Sequence, residues 1–325
     1  MPLVDSTFRP PLWLANAHVQ TILGAMIRRD TRTGATPHRL ELPDGDFVDL
    51  EINHIAAPRT AILSHGLEGS AKDTNMGGIA QALIATGWNV IAWSFRGCSG
   101  EPNRLARAYH SGDTDDLRHV IDFALRNCES IALFGFSLGG NLTLKYLGER
   151  PPHPAVVAAM AVSAPINLQS SATALDTRWR NVIYRPRLIR RLVEKVRTKA
   201  ADFPAQLDVA GVEKICTFRD FDDRFTAPMH GFRDAADYWT QSSARQFLSG
   251  ITVPTLLLNA QDDPFLTPEC FPWDEARANR ALLLETPRHG GHLGFLDSLD
   301  PKVTWLERRT AEFLGTASIP LATHS

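Results

Sequence analysis

Residues 133–148 read LFGFSLGGNLTLKYLG, with a serine set between two glycines where an apolar run gives way to a helical one. The upstream run Ser130–Phe134 is short and apolar and has polar neighbours, so it is read as a buried strand. Downstream, Leu138, Leu142 and Tyr146 recur at helical spacing while Lys145 and Glu149 turn outward. Ser137 is therefore predicted in a sharp strand-to-helix turn. Gly135 and Gly139 remove side chains that would collide across that turn. The helix begins directly after the serine, with free backbone N–H groups and the positive end of its dipole. A negative oxygen forming beside Ser137 would be stabilised there. The pattern is the G-x-S-x-G nucleophile elbow, and the strand before it and helix after it separate it from a chance match.

A serine hydroxyl needs a base to take its proton, and the base needs a third group to fix its tautomer. In folds with this elbow the chain order is Ser, then Asp or Glu, then His. Of the eleven histidines only His289, His292 and His324 satisfy that order, and His324 falls in the tail. His289 and His292 lie in RHGGHLG, directly after the strand-like run Ala281–Glu285. His292 is favoured, because the paired glycines before it give it reach. A His-x-x-His metal pair is the weaker reading, since no third ligand is evident. The acid is expected after the apolar run 253–259, at Asp262-Asp263-Pro264. Asp263 is preferred, with Asp262 left as a turn or capping residue.

The remaining requirement is an oxyanion hole made of backbone N–H donors. One is the residue after the nucleophile, Leu138. The second is assigned to Leu67 in the loop His65–Ser70, which follows the strand-like run 59–64. Gly66 and Gly69 let that backbone approach a substrate closely. His65 is read as bracing the loop.

The chain has 325 residues, 44% hydrophobic and 22% charged, an ordinary globular composition. A net charge of −2 argues against a dedicated nucleic-acid binder. No run approaches the length needed to span a bilayer, and the N-terminus lacks the features of a signal peptide. Cys98, Cys128, Cys216 and Cys270 show no paired spacing and are read as reduced thiols, which suits a cytoplasmic protein, peripheral to a membrane at most.

Residues before about 37 read as irregular. Strand-like and helical runs then alternate, after two early strands with no helix between them. This predicts an α/β fold with a mainly parallel central sheet, an antiparallel start and flanking helices. The candidate residues all fall just past the C-terminal ends of strands, where such sheets bind ligands. The alternation stops between Pro165 and Ile251, a connection of about 85 residues. The expected organisation is a core of residues 1–165 and 251–325 with a mostly helical cap at 166–250. Within the cap, residues 178–199 hold nine basic side chains against one acidic, on a helix expected to start at Pro186. Its apolar face is Leu188, Ile189, Leu192, Val193 and Val196. One reading is a lid that makes transient contact with anionic lipid head groups. The favoured one is a cap helix packed inward with a solvated basic face. Phe218, Phe221, Phe225, Phe232, Tyr238 and Trp239 are read as cap core before substrate wall.

Several strings carry a family resemblance: 16–22 (NAHVQTI), 65–70 (HGLEGS), 95–104 (FRGCSGEPNR), 109–112 (YHSG) and 135–141 (GFSLGGN). So do 225–228 (FTAP) with Gly231-Phe232, 262–265 (DDPF) and 289–295 (HGGHLGF). The chain resembles the YheT-like branch of the α/β-hydrolases, bacterial relatives of membrane-associated eukaryotic lipid esterases. The resemblance implies the α/β-hydrolase fold, with Ser137 as nucleophile, Asp263 as acid and His292 as base. It implies hydrolysis of carboxylic esters, of short- to medium-chain acyl groups or acylglycerols. The N-terminal membrane anchor of the eukaryotic relatives is not seen here. No metal or organic cofactor is needed. The loop Arg96–Gly100 is expected to border the pocket in a supporting role, with Arg96 paired to a carboxylate. The same machinery would serve an acyl-CoA thioesterase. A ligand-binding relic of the fold would usually have lost one of the three residues. The sequence does not mark an oligomeric state.

Overall fold

The computed structural model describes residues 2–27, 34–300 and 303–316; His324 lies outside them. Nine strands form one sheet among the described residues. In chain order they are β1 (Leu3–Val4), β2 (Thr36–Glu41), β3 (Phe47–Asn53), β4 (Arg59–Ser64), β5 (Asn89–Ser94), β6 (Ser130–Phe136), β7 (Val156–Val162), β8 (Thr255–Leu258) and β9 (Leu282–Glu285). Their spatial order is β1-β9-β8-β7-β6-β4-β5-β3-β2. Only the pairs β2–β3 and β3–β5 are antiparallel, as the early strands without an intervening helix predict.

The central strands are apolar on both faces because both faces are covered. In β6, Ile131 and Leu133 enter one apolar cluster while Ala132, Phe134 and Phe136 enter another. β7 divides the same way, Ala159 and Ala161 against Ala158, Met160 and Val162. Helices α3 (Thr114–Ala124) and α4 (Leu138–Glu149) cover the first face through Leu117, Val120, Ile121 and Leu142. The helix α2 (Thr74–Ala85) and the last helix, Trp305–Thr316, cover the second through Met76, Ile79, Leu83 and Leu306.

From β4 the chain moves outward to β5, then crosses back to place β6 on the other side of β4. The crevice at such a reversal, beyond the carboxyl ends of the strands, is where open α/β sheets bind ligands. The loops after β4 and β6 meet there, with Ser64 opposite Gly135 in the register.

Two readings of the sequence change. The stretch before residue 37 holds β1, which pairs with β9, and a regular helix α1 (Ala17–Ile27). The side-chain oxygen of Asn16 accepts the N–H groups of His18 and Val19 and starts that helix. Residues 166–250 are mostly helical, as expected. Their helix α5 (Leu168–Thr177) and α6 (Arg185–Ala200) join Phe218, Phe221, Phe225, Tyr238 and Trp239 in a third apolar cluster. Ala244 and Leu248 instead belong to the sheet's own core.

Candidate active site

Ser137 has φ 49° and ψ −114°, a strained conformation of the kind that costs about 1–3 kcal/mol and persists only when its surroundings enforce it. The enforcement is visible. A side chain at Gly135 would collide with the backbone of Gly139, and one at Gly139 with the carbonyls of Ser64 and His65. The N–H of Gly139 donates to the His65 carbonyl (3.1 Å), tying the elbow to the loop after β4. Gly66 brings that loop so close that a Cβ on it would lie 3.3 Å from the Ser137 Cβ.

The Ser137 Oγ lies 3.0 Å from His292 Nε2, and His292 Nδ1 lies 2.8 Å from Asp263 Oδ2. A carboxylate only accepts, so Nδ1 carries the hydrogen and Nε2 is left to accept from the serine hydroxyl. The other Asp263 oxygen accepts the N–H of Phe265 (2.9 Å). The ring of Phe265 lies against the imidazole, with centroids 4.2 Å apart. Asp262 is more than a turn residue. It accepts the N–H of Gly291 (2.9 Å) and faces His289 Nδ1 at 3.3 Å. Burial raises its carboxyl above the ordinary value. His289 and His292 thus turn to different aspartates.

The amides of Leu67 and Leu138 have no protein acceptor among the described residues, and both residues line the cavity above Ser137. His65 braces its loop: Nδ1–H donates to the Gly66 carbonyl (2.7 Å) and Nε2 accepts the N–H of Phe95 (3.0 Å). Burial pushes its imidazole down to about 3, so it stays neutral.

Arg96 does pair with carboxylates, but in a buried cluster with Asp116, Asp46 and Asp44. The loop Arg96–Gly100 does not border the cavity. Ala108, Tyr109, His110 and Ser111 take that place. The expectation failed because Arg96 is drawn to acids from β3's approach and from α3, all distant in sequence.

Three groups of residues escaped the sequence reading. Thr21 on α1 accepts the N–H of His292 (2.9 Å), and the buried Gln20 holds both backbone groups of Leu296. Gly24 packs so tightly on Gly294 that an added Cβ would sit 2.7 Å from its Cα. The helix α1 therefore clamps the histidine loop; a polar Gln inside the apolar run 19–27 was the available signal. Asn259, at the end of β8, holds the N–H and carbonyl of Ala164 and fixes the acid's strand end to β7's. Glu68, at φ 54°, stands beside Leu67. Its carboxylate accepts from Tyr109 (2.8 Å) and Lys195 (2.7 Å), and its carbonyl accepts from Arg191 (2.6 Å).

The cavity measures about 440 Å³ and has Ser137 and His292 in its wall. Leu168, Leu192, Val196, Phe218, Trp239 and Met229 supply much of the rest. Phe218, Phe221, Tyr238 and Trp239 are thus both core of the inserted segment and cavity wall, whereas Phe225 and Phe232 do not reach it. The α6 helix starts at Arg185 with Pro186 in its first turn and packs its apolar face inward. Its basic side is only partly solvated. Arg190 and Arg197 are exposed, but Lys199 is buried against the carbonyls of Asn103 and Leu105, and Lys195 is bound to Glu68.

A strained serine at a sheet's reversal point, an imidazole and a buried carboxylate define the geometry of the α/β-hydrolase class. The family model of the α/β-hydrolase fold matches residues 62–299, and the chain belongs to that family. Within it, the chain is 37% identical over 323 residues to YheT of Escherichia coli (strain K12), an esterase by name, covering 96% of this chain and 94% of that one. It thus belongs to the YheT branch. It is 29% identical over 325 residues to a protein of Bos taurus named phospholipase ABHD3, covering 96% of this chain and 79% of that one. In fold it is similar to the solved esterase Pf2001 of Pyrococcus furiosus, with TM-score 0.57 and 17% identity over 86% of this chain and 90% of that one. Among the described residues no helix is long and apolar enough to cross a membrane.

Proposed function

We propose that the protein is a serine hydrolase of carboxylic esters, working through an acyl-enzyme in which Ser137, His292 and Asp263 act together. The observation that carries this is the unbroken line from the Ser137 hydroxyl through both imidazole nitrogens to Asp263, at 3.0 and 2.8 Å. Ser137 attacks the ester carbonyl while His292 Nε2 takes its proton. Asp263 holds the tautomer and stabilises the imidazolium. The N–H groups of Leu67 and Leu138 receive the oxyanion. His292 then protonates the departing alcohol, and water releases the acyl group by the same route reversed. No step calls on a cofactor.

Residues 166–250 act as a cap, and their apolar side chains over Ser137 suit a short- to medium-chain acyl group or an acylglycerol. Relatives named esterase and phospholipase agree with an ester bond as the target. A second reading, an acyl-CoA thioesterase, draws on Arg187 and Arg191 in the cavity wall, which would meet phosphates.

A fluorophosphonate probe tests the nucleophile: wild type becomes labelled and Ser137→Ala does not, and its ester turnover falls about 10⁴-fold or more. Labelling that persists in the variant overturns the assignment. A series of p-nitrophenyl esters beside monoacylglycerol and acyl-CoA tests the bond. Acyl-CoA turned over far faster than every oxygen ester would select the thioesterase.

A further inference from the structure

Eleven large apolar side chains are exposed among the described residues, and seven of them fall in two short segments. Leu12, Trp13, Ile22 and Met26 belong to the first, and Trp179, Val182 and Ile183 to the second. The segments are neighbours in space. The Tyr184 hydroxyl lies 2.9 Å from His18 Nδ1, and the two rings stack at 5.8 Å. Ile22 and Met26 are one helical turn apart on α1, and Trp179 and Val182 are one turn apart in their 3₁₀ helix, with Ile183 beside Val182. Monomeric proteins rarely gather apolar surface of this kind without a use for it.

This face borders the cavity. Ala25 reaches its wall from α1, and Arg187 and Leu188 reach it from the start of α6. Its charge is also unlike that of the rest. Residues 9–27 and 176–194 contain seven arginines against Asp176 and Glu194, the latter 3.7 Å from Arg190, in a chain of net charge −2. Arg180 lies over the Trp179 ring at 5.1 Å. Exposed tryptophans on an arginine-rich face, one of them with an arginine over its ring, match the boundary of an anionic bilayer. A second copy of the chain fits poorly, since a two-fold contact would set this arginine-rich face against the same face of the partner.

We propose that this face docks on anionic lipid bilayers, seating Trp13 and Trp179 among the head groups so that the cavity opens toward the lipid. The purpose of such docking rests on the ester-hydrolase reading; the binding itself does not. The whole chain would be sedimented with vesicles of phosphatidylcholine alone, and with vesicles carrying about a third phosphatidylglycerol. The expected result is capture by the anionic vesicles only. Trp13→Ser/Trp179→Ser abolishes capture, and Arg180→Glu/Arg190→Glu weakens it by about fivefold or more per residue. All four side chains are exposed, so both variants melt as the wild type does and turn over p-nitrophenyl butyrate within about twofold of it. Equal capture by both vesicle types overturns the proposal, as does capture unchanged by the tryptophan pair. So does a wild-type dimer that the tryptophan pair dissolves, which would make the face a self-association surface. Intact capture with no ester turnover would overturn the hydrolase reading and leave this one standing.

Discussion

One loop after β9 carries two histidines, each against one of two adjacent aspartates, and the two pairs are built differently. His292 and Asp263 are nearly sealed, with side chains 9% and 0% exposed and a contact of 2.8 Å. His289 and Asp262 are 42% and 20% exposed and stand 3.3 Å apart. The inner imidazole has a second partner in Ser137, and the backbone N–H of His292 donates to the Thr21 hydroxyl oxygen. The outer aspartate spends its second oxygen on the backbone of Gly291. Residue type does not tell the pairs apart. Burial and the second contact of each member do, because a hydrogen bond that water can compete for fixes geometry weakly and one closed off from water fixes it firmly.

The largest expected separation is between the two aspartates. Asp263→Asn removes the carboxylate that faces His292 Nδ1 and, under the proposed mechanism, is expected to lower kcat about 10⁴-fold. Asp262→Asn is expected to lower kcat/KM less than about threefold. Equal losses in a p-nitrophenyl ester assay would erase the distinction. Next comes the clamp. Thr21→Val leaves the His292 N–H without its acceptor and lets the ring drift, for an expected loss of about tenfold in kcat with KM little changed. A purely structural role for Thr21 would lower the melting temperature and leave kcat alone.

The smallest effect is on pH dependence. Burial raises the Asp262 carboxyl above its unfolded value, so the folded chain binds that proton more tightly. Its contribution to stability is therefore greatest at low pH. It is lost as pH rises from the ordinary carboxyl range through the raised value. Urea unfolding of wild type and Asp262→Asn should differ by a gap that moves in this direction between about pH 4 and 7. A gap that moves the opposite way would mean that the pair with His289 dominates.

The elbow, the parallel sheet and the meeting of Ser137, His292 and Asp263 were legible because each is written in local pattern. Apolar runs mark the strands, glycines mark the tight places, and chain order narrows the histidines. What stayed hidden is written across long separations. Nothing near Arg96 announces that Asp44, Asp46 and Asp116 will surround it. Nothing in the proline-bearing start announces that Thr21 will meet a residue 271 positions later. The basic stretch of α6 gave its composition but not its direction. Lys195 and Lys199 turn inward only because Glu68 and the carbonyls of Asn103 and Leu105 await them.

Glu68 is tied to Tyr109 on the sheet's side and to Arg191 and Lys195 on the inserted segment, and it is the next residue after Leu67. Two parts of the molecule therefore share one joint. Free-energy coupling is reciprocal, so the coupling by which an ordered α6 steadies the amide of Leu67 equals the one by which that amide steadies α6. Remodelling that helix to widen the cavity would then alter turnover along with selectivity, even where no substituted side chain touches the reacting atoms.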